Sequence, residues 1–84
     1  MRLVRSQSAE ADALSGFRKS ARAAKVIDGL LPPPIALGSR AAAYIAEELE
    51  AVIVARANGA DDEEVRALVK RLVAVRKNAR NEAA

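Results

Sequence analysis

Four cations and a serine are gathered in the segment Phe17-Arg18-Lys19-Ser20-Ala21-Arg22-Ala23-Ala24-Lys25, and a further cation, Arg40, follows a Gly38-Ser39 pair. The chemistry open to such side chains is hydrogen-bond donation to an anionic partner. An arginine presents two parallel donors that match guanine O6 and N7, and a well-placed pair discriminates between bases by about 1 to 3 kcal/mol. Arg18 or Arg22 on an exposed helix face fits that role. Lys19 and Lys25 suit phosphate, which needs charge more than geometry, and Ser20 suits either phosphate or base. Ser39 and Arg40 lie at a turn, where Arg40 has phosphate or the minor groove within reach, and Arg5 adds a cation near the N-terminus. The plainer alternative for each is a solubilising charge on a hydrated face.

Other chemistries lack their residues. The chain has no histidine and no cysteine, so zinc sites, disulfides, thiolate nucleophiles and Ser-His-Asp relays have no members here. Glu10 and Asp12 read as acids at a helix start, where the dipole favours negative charge, and not as a catalytic carboxylate pair. Phe17 and Tyr44, the only aromatics, read as core anchors, because two isolated rings make no stacking platform for single strands. The expectation is a protein that is not an enzyme and that needs no metal, cofactor or small-molecule ligand.

The elements that must position the cations follow from local signals. Leu3-Val4 between two arginines suits a short strand or an anchor for the N-terminus. Ser6 or Ser8 caps a first helix that runs to Leu14 and stops at Ser15-Gly16. A second helix is expected over 17–27, with Phe17, Ala21, Ala24 and Ile27 as a narrow apolar stripe and Asp28-Gly29 as its end. Pro32, Pro33 and Pro34 then forbid helix, since each lacks an N–H and fixes φ. Ile35 and Leu37 alternate with Ala36, and Gly38-Ser39 turns the chain back through Ala41, Ala43 and Tyr44, which is a small β-hairpin over 35–44. A third helix is expected near 46–57, closed by Asn58-Gly59. The fourth has the clearest start, with Asp61 as N-cap and Glu64 as its capping-box partner. Its stripe of Val65, Leu68, Val69, Leu72 and Val73, continued by Val75 or Arg76, completes the core or, through Val69, Val73 and Val75, serves a homodimer face.

The fold class expected is mainly α with a small β-hairpin, a winged helix-turn-helix plus C-terminal helices, as one domain over 1–84. With 84 residues, only about 60 to 70% of the unfolded surface is buried on folding. Charge is unevenly placed. Residues 1–40 hold seven basic and three acidic side chains, net +4, whereas residues 41–84 hold seven basic and eight acidic, net −1. A polyanion would meet the first half. The polar residues after Met1-Arg2-Leu3-Val4-Arg5 leave no signal-peptide core, and nothing approaches the apolar length of a spanning helix. A cytoplasmic protein with no membrane association is expected.

From Gly29 onward the stretch GLLPPPIALGSRAAAYIAEELEAVIVARANG resembles the AlpA-type regulators of prophages and integrated elements, relatives of the excisionase and MerR-like winged-helix group. The resemblance rests on Gly29, Pro32, Pro34, Ile35, Leu37, Gly38, Arg40, Tyr44, Glu47, Glu48 and Leu49. It covers about thirty residues, and the opening Arg2-Leu3-Val4-Arg5 also looks like the family's first segment. Where the family shows a Ser-Arg-Ser/Thr run and an aliphatic-Tyr pair, this chain has Arg18-Lys19-Ser20-Ala21-Arg22-Ala23-Ala24. The resemblance implies sequence-specific binding of double-stranded DNA by a transcriptional regulator or excisionase-like factor. The helix from Phe17 would lie in the major groove, with the Leu37 to Arg40 turn as a wing on the backbone. The competing expectation is a non-enzymatic interaction module, an antitoxin or adaptor, that docks a partner through the amphipathic C-terminal helix.

Overall fold

The computed structural model describes the backbone of residues 1–83 and the side chains of residues 1–76. The elements run β1 (Leu3–Arg5), α1 (Ala9–Ser15), α2 (Lys19–Ile27), β2 (Ile35–Ala36), β3 (Ala42–Ile45), α3 (Ala46–Ala57) and α4 (Asp62–Ala83). The chain is mainly helical, with a three-stranded antiparallel sheet in the order β1-β3-β2.

The sheet is organised by its central strand. Val4 pairs with Tyr44 and Arg5 with Ala43 on one side of β3, and Ile35 pairs with Ala43 on the other. Strand alternation sends Val4 inward, 1% exposed, and leaves Leu3 and Arg5 outside. Leu3-Val4 is therefore a true edge strand. The hairpin closes where the Leu37 N–H donates to the Ala41 carbonyl at 2.8 Å, leaving Gly38, Ser39 and Arg40 as an exposed tip.

The helix ends follow their capping chemistry. The Ala11 N–H donates to Ser8 Oγ at 3.1 Å, and Gly16 takes φ +79° at the other end of α1. At the end of α2 the Gly29 N–H donates to Val26 O and the Leu30 N–H to Lys25 O, a paired closure that Gly29 permits with φ +77°. In α4 the Glu64 N–H donates to Asp61 Oδ1 at 2.9 Å and the Asp61 N–H to Glu64 Oε1 at 3.2 Å, the reciprocal box read from the sequence.

Leu30 and Leu31 enter the core directly after α2, packed with Leu49, Val52, Val65 and Val69. Pro32 follows them into the interior, where its missing N–H leaves no donor to satisfy. The Pro33 carbonyl accepts from Arg76 Nη2 at 2.8 Å, while Arg76 Nε donates to Glu48 Oε2 at 2.7 Å. One guanidinium thus fastens the proline segment and α3 to α4. Val69, expected at a dimer face, is only 7% exposed and lies in the core beside Val65, because the inward line of α4 passes through both. Val73 is half-buried and Val75 is exposed.

Two expectations about α2 are corrected. The helix begins at Lys19, with Phe17 left in the connecting turn, and the stripe expected inside faces out. Ala21 and Ala24 are exposed, Ile27 is 84% exposed, and Phe17 is 37% exposed and so no core anchor. The residue turned inward is Arg22, at 1%. Tyr44, by contrast, is the interior anchor expected.

Candidate nucleic-acid interface

Residues Gly16 to Arg18 join α1 to α2, and their path is held by Ser15, which is buried. Its hydroxyl donates to the Ala11 carbonyl at 2.7 Å and accepts the Phe17 N–H at 3.2 Å. Gly16 supplies the left-handed turn.

Arg22 sets the angle of α2 against everything around it. Its Nη1 donates to Asp12 Oδ1 on α1 and, at 2.6 Å, to the Phe17 carbonyl in the turn. Its Nη2 donates to the Ser6 carbonyl at 2.6 Å, ahead of α1. The guanidinium also lies 5.8 Å from the Tyr44 ring centroid on β3. A planar fork of donors suits this convergence of carbonyls and carboxylate; the Nε has no hydrogen-bond partner among the described residues, but with Arg22 only 1% exposed it does not reach the surface where a ligand would be met. The sequence-based role of Arg22 as a base reader is therefore not available in this fold. The residue is structural.

Lys25 is also drawn aside. Its Nζ sits 5.3 Å from the Phe17 ring centroid, and the side chain borders a cleft of about 500 Å³ shared with Val52, Ile53, Arg56 and Asp62. That side of α2 lies about 140° around the axis from Ser20, by the 100° step per residue of an α-helix.

Arg18, Lys19 and Ser20 remain outward on α2, followed by Ala21, Ala23, Ala24 and Ile27. Ser39 and Arg40 are exposed at the hairpin tip, and Arg5 is exposed on β1 beside Ala43.

Ion pairing separates the cations into two groups. Arg2 is bound to Glu10 at 2.6 Å and Glu50 at 3.5 Å, Arg56 to Asp62 at 2.8 Å, Arg22 to Asp12 and Arg76 to Glu48. Arg5, Arg18, Lys19, Lys25, Arg40, Arg66, Lys70 and Arg71 enter no salt bridge among the described residues. Asp28 is the one carboxylate between Asp12 and Glu47.

The perturbed titrations belong to the structural pairs. The hydrogen bond from Arg2 to Glu10 raises the Arg2 guanidinium above its ordinary range, with the charge of Glu10 adding to it. The Arg2 backbone N–H donates to both Glu47 oxygens, at 2.9 and 3.1 Å, and holds that carboxyl below the usual range. The hydrogen bond from Arg56 lowers Asp62 in the same way. Among the described residues, no cluster of acids could hold a metal ion, and no helix is long and apolar enough to cross a membrane.

Sequence reasoning missed the outward apolar line of α2, which it assigned to the core, and the fastening role of Arg76. A cation in place of a valine at the end of the α4 stripe was the one available signal for the latter. Comparison of the chain with family models, curated proteins and solved structures gives no match.

Proposed function

We propose that this chain is a DNA-binding protein of winged helix-turn-helix form, an AlpA-like transcriptional regulator or excisionase-like factor, that works without metal or cofactor. In this reading α2 enters the major groove with Arg18, Lys19 and Ser20 leading, and the β2–β3 tip lays Ser39 and Arg40 on the flanking backbone. The observation that carries the reading is the sorting of cations. The guanidinium groups of Arg2, Arg22, Arg56 and Arg76, which tie elements together, are each matched to a carboxylate, whereas the exposed cations at the start of α2 and at the hairpin tip, like Arg66, Lys70 and Arg71 on α4, enter no salt bridge among the described residues. Unpaired, exposed cations gain most from meeting phosphate, because they release counterions without breaking internal bonds. The order of elements supports it as well, since two helices joined by three residues precede a two-stranded ribbon in the same small unit.

The adaptor reading has less surface to draw on. Val65 and Val69 are buried, and Leu68 and Leu72 pack against the core, so most of the α4 stripe is already covered within the chain. A pairing of two copies through α4 would use Val73 and Val75 alone of the three valines expected there.

The test is selection of bound fragments from a random duplex library at low salt. Enrichment of a common motif is expected, with protection of a major-groove segment and an adjoining stretch of backbone. Failure to retain any duplex would overturn the proposal.

A further inference from the structure

We infer that α2 reads thymine through its 5-methyl groups, using Ala23, Ala24 and Ile27, so that the recognised site is marked by thymines and not by a run of guanines. The inference rests on the DNA-binding reading above and deepens it.

Ser20, Ala24 and Ile27 stand at i, i+4 and i+7, which is one line along a helix, with Ala23 beside it. That line lies opposite the Arg22 side chain, about 140° to 160° away around the axis at 100° per residue. All four residues are exposed, and Ile27 is 84% exposed. Ile27 is among the most exposed large apolar side chains of the described residues, in a helix whose inward positions are filled by Arg22 and Val26. None of the described residues covers this line.

Two features point to a DNA groove as its occupant. The exposed cations Arg18 and Lys19 sit at the start of the same helix, with no carboxylate from residue 13 through Ile27. The major groove offers phosphate walls and apolar spots together, which suits cations at the head of a helix whose outer line is apolar. The apolar group on its floor is the thymine 5-methyl, which alanine and larger apolar side chains contact. Alanine side chains also keep the helix thin, so that its backbone approaches the base edges closely.

Removing Arg22 from the readers changes the expected specificity. On α2 only Arg18 remains as a guanidinium able to make a bidentate contact with guanine, and it sits at the extreme N-terminal end. Guanine preference is then confined to one end of the site, and thymine preference falls along the rest of the helix, with Ser20 between them able to bond either kind of pair.

The experiment uses the full chain and the duplexes enriched from a random library. Each thymine of the motif is replaced in turn by uracil, which removes the 5-methyl and leaves pairing intact, and affinity is read by anisotropy. Replacement at one or more motif positions is expected to weaken binding about fourfold per methyl, the effect of one buried carbon. Ile27→Ala is expected to erase the response at one of those positions and leave the others, with an unchanged melting temperature because Ile27 is 84% exposed and lies outside the core. Uniform insensitivity to uracil, with binding retained, would overturn the methyl reading and leave the DNA-binding proposal standing. Absence of binding to every duplex would overturn both.

Discussion

Arg22 and Arg18 are four residues apart on the same basic segment, yet their surroundings give them opposite roles. Arg22 is closed in by Asp12, two backbone carbonyls and Tyr44, whereas Arg18 stands at the start of α2 with no acid partner. Arg22→Ala should therefore destabilise the chain by about 3 kcal/mol, the cost of breaking a buried charged network, measured by urea unfolding. Arg22→Lys should restore little, since one ammonium does not reproduce a fork that reaches three acceptors. Arg18→Ala and Arg40→Ala, by contrast, should leave stability within about 0.5 kcal/mol in the same measurement while weakening DNA binding. The sequence could not separate these residues. Composition and spacing mark both arginines as candidates, and the partner that fixes Arg22 lies ten positions away on another helix.

The elements were legible where backbone chemistry is local. Ser8, Gly16, Asp61 with Glu64, and Gly59 mark helix ends by side-chain acceptors or a positive φ that a sequence displays directly. The hairpin was legible for the same reason. What failed was the facing of α2. Its alanines fit inside or outside equally well, so their period could not decide which side packs, and the bonds of Arg22 to Ser6 and Asp12 and its approach to the Tyr44 ring decided it instead. Arg76→Ala leaves the buried Glu48 carboxylate and the Pro33 carbonyl without their donor, and about 3 kcal/mol of stability should be lost, read from the urea midpoint. The attachment of β1 should also weaken in acid. Glu47 is held below its ordinary range in the folded chain, so its contribution is complete above the unfolded value and disappears as pH falls through the lowered one. Faster exchange of the Arg2 amide on acidification is expected, after correction for intrinsic exchange. Glu47→Gln should remove that dependence.

At the scale of the molecule, a net charge of +3 says little by itself. The structure adds which charges are already engaged. Neutralised pairs tie the N-terminus to α1 and α3, α1 to α2, α3 to α4, and the end of α3 to the start of α4. Among the described residues, cations outside any ion pair remain on α2, β1, the hairpin tip and α4, and those of the first three lie in the half of the chain with the positive balance, where an electrostatic partner would be met. The most direct test is the salt dependence of affinity for a selected duplex, measured by anisotropy for the unaltered chain and for the combined variant Arg18→Ala, Lys19→Ala, Arg40→Ala. The variant should melt as the parent does and bind more weakly, with a log Kd against log salt slope shallower by about 2 to 3. Equal slopes and affinities in the two proteins, or no binding by the unaltered chain at low salt, would contradict this.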